Sequence, residues 1–144
     1  MKGEVHLIDS NILVYAYDYS DEIKNEKARK LLEECWTGKT EFAICLQNLS
    51  EFYIVITKKV KNPLEKKEAK EIVEEFIEFK NWKKLTQKES TLIKAMEIAD
   101  KYNVGYYDAL IAATMLENNL TRIYTEDVKD FNKIKELEVI NPLL

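Results

Sequence analysis

The chain of 144 residues is the size of one folded domain, spanning 1–144, with 46% hydrophobic residues for a core and 33% charged residues for its surface. With 26 acidic against 22 basic residues the net charge is −4, which excludes a protein that grips nucleic acid through an overall positive field. Two cysteines, Cys35 and Cys45, and a single histidine, His6, exclude a disulfide framework, a Cys/His zinc centre and the two-histidine HExxH motif, and point to a cytoplasmic home.

In chain order, Val5 to Ile8 has the length and apolar character of a strand, and Asp9 closes it. Asp9 is also placed to cap a helix opening near Asn11. Ala28, Leu31, Leu32 and Cys35 follow the i, i+3, i+4, i+7 spacing of an amphipathic helix. Phe42 to Cys45 reads as a second strand, and Leu49, Phe52, Tyr53 and Ile56 as the buried face of the next helix, with Glu51 in it. Asn62, Pro63 and Glu65 have the order of a cap, a first-turn proline and a capping-box partner, predicting a helix from near Pro63 that carries Ala69, Ile72, Val73 and Phe76. Thr86 and Glu89 repeat the box, predicting a helix from near Gln87 through Leu92, Ala95, Met96 and Ala99, with Gly105 as its stop. Asp108 to Glu117 is apolar almost all round and belongs in the interior. Arg122 to Thr125 and Glu138 to Ile140 close the chain as strands.

Short strands alternating with helices imply βαβ crossovers, hence an α/β fold: a three-layer α/β/α sandwich with a mainly parallel central sheet. No apolar run approaches the ~20 residues of a membrane span, and the three glycines cannot assemble a GxGxxG or GxxxxGK[ST] phosphate cradle. In open α/β sheets the working crevice lies beyond the carboxyl ends of the strands. Asp9 and Asp127 stand just past two such ends, Asp108 opens the interior helix, and Glu51 lies early in the helix after Phe42 to Cys45. Gathered together, these carboxylates would repel by roughly 3 kcal/mol per pair about 5 Å apart at an effective dielectric near 20. An all-oxygen cluster of that kind calls for a hard divalent ion, Mg²⁺ or Mn²⁺, and such an ion suits phosphodiester hydrolysis. The plainer reading of each residue stands beside this one: Asp9 and Asp108 as helix N-terminal acids, Glu51 as a solvated helical glutamate, Asn11 and Thr125 as capping or turn residues.

Ile8 to Ala16, with its Asp9-Ser10-Asn11 core, resembles the opening of PIN-domain ribonucleases, particularly the VapC-like toxins of toxin–antitoxin systems. Gln47-Asn48-Leu49-Ser50-Glu51-Phe52-Tyr53, Tyr107-Asp108-Ala109-Leu110-Ile111-Ala112-Ala113 and Tyr124-Thr125-Glu126-Asp127-Val128-Lys129-Asp130-Phe131 resemble three further blocks of that family, in order and covering nearly the whole chain. The resemblance implies a Mg²⁺- or Mn²⁺-dependent endoribonuclease with Asp9, Glu51, Asp108 and Asp127 as its acidic quartet. Asp9 and Asp108 would touch the metal, Glu51 and Asp127 would complete its coordination or hold waters, and Thr125 and Asn11 would support them from behind. Asp130 either supplements Asp127 or caps the turn before Phe131 to Ile134. The expected reaction is in-line attack of water on the phosphodiester, leaving a 5′-phosphate and a 3′-hydroxyl, with His6 in a packing or surface role.

The resemblance also implies partners: an RNA substrate, a small antitoxin placing a basic side chain among the carboxylates, and a second copy of the chain. Lys58, Lys59, Lys61, Lys66, Lys67 and Lys70 form one lysine cluster, and Lys80, Lys83 and Lys84 surround Trp82 in another. Either tracks a phosphate backbone or is a solvated face paired with neighbouring glutamates. A haloacid-dehalogenase-like phosphatase would need a second aspartate where Asn11 stands. A receiver domain would need adjacent early acids. A catalytically silent PIN-like binding module would have no use for four mutually repelling carboxylates, and a housekeeping RNA-processing nuclease is the other reading in the same fold.

Overall fold

The computed structural model describes residues 4–144. Five strands, β1 (His6–Ile8), β2 (Phe42–Cys45), β3 (Trp82–Leu85), β4 (Arg122–Tyr124) and β5 (Glu138–Ile140), pair in parallel in the order β3-β2-β1-β4-β5. Seven helices connect or flank them among the described residues: α1 (Ser10–Tyr17), α2 (Glu22–Trp36), α3 (Leu46–Lys58), α4 (Lys66–Glu78), α5 (Glu89–Tyr102), α6 (Tyr106–Glu117) and α7 (Val128–Phe131). No helix among them is long and apolar enough to cross a membrane.

Alternation along the strands builds the three layers. Ile8, Phe42, Ile44 and Trp82 pack into one core with α1, α2, α3 and α4, while Leu7, Ala43, Cys45, Leu85 and Ile123 pack into the other with α5, α6 and α7. The first core is aromatic, with Phe76 seated 5.0 Å from both Trp36 and Trp82. Each large side chain sealed there contributes about 2 kcal/mol or more through removal of apolar surface from water. The second is built from the nearly all-round apolar α6, whose residues Ala109 to Met115 are buried.

Several local expectations need correction. The strand β3 has no counterpart in the sequence reading, because its two central residues are lysines. It is an edge strand, where charged side chains are tolerated and discourage pairing with another chain. Trp82 is fully buried and so offers no face to a nucleic-acid base, and Lys84 is turned back to donate to the Phe79 carbonyl at 3.0 Å. Helix α4 starts at Lys66 with Glu65 as its cap, not near Pro63. Helix α5 starts at Glu89: the Lys88 N–H donates to Thr91 Oγ1 at 2.8 Å, and the box of Thr86 and Glu89 does not form. The stop of α5 is Asn103, left-handed at φ 53°, a conformation Asn tolerates well. Gly105 instead caps the start of α6.

Candidate active site

The chain leaves β1 for β2 and β3 on one side, then returns to lay β4 against the other edge of β1 and continues to β5. The strand order reverses between β1 and β4, and a crevice opens at their carboxyl ends. Asp9 stands directly beyond β1 and is tied to its neighbour, its N–H donating to the Tyr124 carbonyl at 3.0 Å. Thr125, Glu126 and Asp127 follow β4 and lead into the single turn of α7, which carries Asp130. Glu51 arrives from the second turn of α3 on one face of the sheet, and Asp108 from the first turn of α6 on the other.

Asp108, Asp127 and Asp130 each offer a carboxylate oxygen within 4.8 Å of the others. Asp9 and Glu51 complete an acidic ring close enough that both add repulsion at Asp108. Burial and then the charges of Asp127, Asp9, Asp130 and Glu51 push the Asp108 carboxyl up to about 7. Asp9 is pushed up to about 6, chiefly by burial and further by Glu51 and Asp127, against the hydrogen bonds of Thr125 and Ser10. Carboxylates gathered against their own repulsion are a donor set that fits a hard divalent cation; the buried Cys45 thiol behind Asp9 and Glu51 is pushed up to about 11, chiefly by burial, and so stays protonated and offers no thiolate.

Neutral donors hold the ring in place. Thr125, fully buried, donates its hydroxyl to Asp9 Oδ2 at 2.8 Å and accepts from the Asp127 N–H at 3.0 Å and from Asn11 Nδ2 at 3.2 Å, so its hydrogen-bonding capacity is filled. The other Asp9 oxygen accepts the Ser10 N–H at 2.8 Å, which caps α1, and faces Asn48 Nδ2 at 3.4 Å. Glu51 accepts from Ser10 Oγ and from Gln47 Nε2, both at 2.9 Å, and the same Gln47 amide reaches the Tyr107 carbonyl at 3.1 Å, linking α3 to the start of α6.

The structure thus brings Asp9, Glu51, Asp108 and Asp127 to one crevice with Asn11 and Thr125 behind them, and places Asp130 with the carboxylates of Asp108 and Asp127. Asp9 does double duty, capping α1 as the plainer reading had it. Sequence reasoning gave no role to Ser10, Gln47, Asn48 or Glu126. Gln47 lies one turn before Glu51, a spacing that signals contact once the helix is assumed. Asn48 accepts the Cys45 N–H at 3.0 Å as the capping partner of α3, a signal masked by a cysteine at the cap. His6, at the far end of β1, stacks on Tyr124 with ring centroids 4.4 Å apart. On α4, Lys70 faces Glu74 at 3.9 Å.

The sequence profile of the PIN domain matches residues 6–137. The chain belongs to the PIN-domain family. No curated protein sequence matches it. Among solved structures, this PIN domain is similar to a toxin–antitoxin complex from Klebsiella pneumoniae, with 20% identity, a TM-score of 0.67, and coverage of 95% of this chain and 97% of that one. It is also similar to a DNA-bound VapBC from Salmonella typhimurium, at 18% identity, TM-score 0.69, and 97% and 99% coverage. A third is VapC20 from Mycobacterium tuberculosis, described as a toxin that cleaves the sarcin–ricin loop, at 14% identity, TM-score 0.68, and 88% and 92% coverage. At these identities the likeness establishes the shared fold.

Proposed function

We propose that this PIN domain is a Mg²⁺- or Mn²⁺-dependent endoribonuclease and the toxin of a toxin–antitoxin pair. The observation that carries the reading is the convergence of five carboxylates at the switch point of the sheet, three of them with oxygens within 4.8 Å of one another. Asp108, Asp127 and Asp130 would hold the cation together with Asp9, and Glu51 would complete the ring. When bound, the cation neutralises the carboxylates, polarises the scissile phosphate and makes water a stronger nucleophile.

The chain's own residues set the remaining conditions. Thr125 Oγ1 fixes Asp9 and, through the Asp127 N–H, the start of the segment that carries Asp127 and Asp130. Ser10 and Gln47 orient the two Glu51 oxygens without adding charge. Asp9 and Asp108, raised toward neutrality, hold protons in the empty ring and release them as it fills, so the site is most competent above about pH 7. The bond broken is P–O3′: water oxygen joins phosphorus, the proton passes to the leaving 3′-oxygen, and 5′-phosphate and 3′-hydroxyl ends result. The ribose 2′-hydroxyl is not consumed, consistent with a site that contains no histidine pair to serve as acid and base.

The toxin part of the reading draws on the fold-mates whose descriptions name toxin–antitoxin complexes. It implies an antitoxin that sets a cationic side chain into the carboxylate ring, a second copy of the chain, and action in the cytoplasm. The test is incubation of a structured RNA pool with the purified protein and Mg²⁺ or Mn²⁺, with and without EDTA, followed by analysis of the ends. Metal-dependent cutting with 5′-phosphate ends is the expected result. A 2′,3′-cyclic phosphate product, or cutting that persists in EDTA, overturns the mechanism.

A further inference from the structure

The segment Thr125–Asp127 is gripped from one side by a group of residues outside the carboxylate ring. Asn11 and Tyr15 lie one turn apart on α1. Asn11 Oδ1 accepts the Glu126 N–H at 3.2 Å, and the Tyr15 hydroxyl donates to Glu126 Oε1 at 2.9 Å. Lys24, in the first turn of α2, places its Nζ 2.5 Å from Glu126 Oε2, 3.4 Å from the Tyr15 hydroxyl and 5.0 Å from the centre of the Tyr15 ring. The backbone of Lys24 is itself fixed, its N–H donating to the capping carboxylate of Asp21 at 3.1 Å. Glu126 is therefore held at its amide and at both carboxylate oxygens, from two helices, while the next residue, Asp127, faces Asp108 and Asp130.

We propose that Lys24 and Tyr15 act as positioning residues: by clamping Glu126 against α1 they keep Asp127 in the ring against the repulsion of its neighbours, and so set the affinity for the divalent cation. The inference rests on the metal-site reading above. A lysine close to a cation site opposes cation binding through its charge, so if Lys24 were a bystander, its removal would leave Mn²⁺ affinity unchanged or raise it. If Lys24 is a clamp, its removal frees the segment, lets Asp127 relax away from Asp108, and lowers the affinity despite the more negative surroundings.

The experiment is Mn²⁺ titration by calorimetry, without RNA, of the wild-type protein, Lys24→Met, Lys24→Arg, Tyr15→Phe and Asp108→Asn. Loss of groups that orient metal ligands typically costs ten- to a hundredfold in affinity. Lys24→Met is expected to weaken Mn²⁺ by about tenfold, Tyr15→Phe by less, and Lys24→Arg, which keeps the ion pair, to stay near wild type. The Lys24 and Glu126 side chains are about one-third exposed, 35% and 31%, so their pairing carries little global stability and the thermal midpoint of Lys24→Met should stay near wild type. In RNA cleavage, the same variant should need more Mn²⁺ for half-maximal rate yet approach the wild-type kcat at saturating metal, a split that general loosening of the fold would not produce. Unchanged or tighter Mn²⁺ binding by folded Lys24→Met overturns the clamp alone, when wild type binds Mn²⁺ and Asp108→Asn does not. Failure of the wild type to bind Mn²⁺ overturns the clamp together with the metal site.

Discussion

Asp9 enters the crevice 5% exposed with both oxygens engaged, one by Thr125 and the other by the Ser10 amide and Asn48, whereas Asp108 enters half-buried with no protein donor among the described residues. Burial is the largest influence on both, yet Asp9 rises only to about 6 while Asp108 rises to about 7. The difference is what the protein supplies. Around Asp9 the fold provides dipoles that stabilise the charge, and the same bonds cap α1 and tie β1 to β4, so this acid is part of the architecture. Around Asp108 it provides mainly other carboxylates, so under the proposed metal-site reading that half would draw its compensating charge from a cation.

The largest expected effect comes from neutralising the half that lacks donors. Asp108→Asn should lower metal-dependent cleavage by more than about a hundredfold, beyond what loss of an outer partner costs, and should raise the thermal stability of the metal-free protein. The sign follows from linkage. The folded-state value of about 7 lies above the ordinary 3.8, so ionising Asp108 destabilises the empty fold progressively from pH 4 to pH 7. The gain in the variant should therefore be full above about pH 7 and vanish near pH 4, measured by thermal denaturation in EDTA across that range. Equal midpoints for wild type and variant at pH 8 would remove the repulsion on which the comparison rests. In the wild type, Mn²⁺ affinity should climb over the same window as Asp9 and Asp108 lose their protons.

The next effect comes from stripping donors from the other half. Thr125→Val keeps the shape but removes the hydroxyl that donates to Asp9 and accepts from the Asp127 N–H and Asn11. It should cost about 1–3 kcal/mol of stability, because buried groups lose their partners, and about ten- to a hundredfold in activity. Without the Thr125 bond the Asp9 carboxyl rises further, so the acid limb of the pH–rate profile should move to higher pH. An unmoved profile with lowered stability would assign Thr125 to the fold alone. The two substitutions together thus predict opposite stability changes from the two halves of one site.

The acidic ring and the packing behind it differ in how readable they are from the chain. Asp9, Glu51, Asp108 and Asp127 could be found because each lies at an element end or on a helix whose apolar period is clear, and parallel topology leaves few ways to arrange such ends. Asp130 stayed ambiguous, since three residues from Asp127 a short helix and a turn look alike in sequence. The packing behind the ring was harder. Ser10, Asn48 and Glu126 act through contacts to residues 41, 39 and over 100 positions away, which no local pattern encodes. Strand β3 was hidden for a related reason, since an edge strand with one tryptophan and two lysines lacks the apolar run of its neighbours. Cap positions slipped by one to three residues because several residues near each helix start can serve as caps, and tertiary packing chooses among them.

The smallest effect tests the link between the halves. Gln47 shares its amide between Glu51 Oε1 and the Tyr107 carbonyl, one residue before Asp108, and so spans from α3 on one face of the sheet to α6 on the other. Gln87 stands 3.5 Å from its carbonyl oxygen. Gln47→Met keeps the length and removes both donated bonds, but in this exposed to half-buried setting water takes over the freed acceptors, so little net stability is lost. Glu51 keeps its second donor in Ser10, so the carboxylate loses orientation rather than its place. Cleavage should fall by roughly fivefold, the factor that about 1 kcal/mol represents in a rate, with the stability of the empty protein nearly unchanged. Adding Ser10→Ala removes the remaining donor and should cost more than the two single changes combined, because one bond now suffices to aim Glu51 and none is left. Strict additivity in that double-mutant cycle would mean that Glu51 is aimed by the α3 backbone, and that the two faces of the sheet contribute to the ring independently.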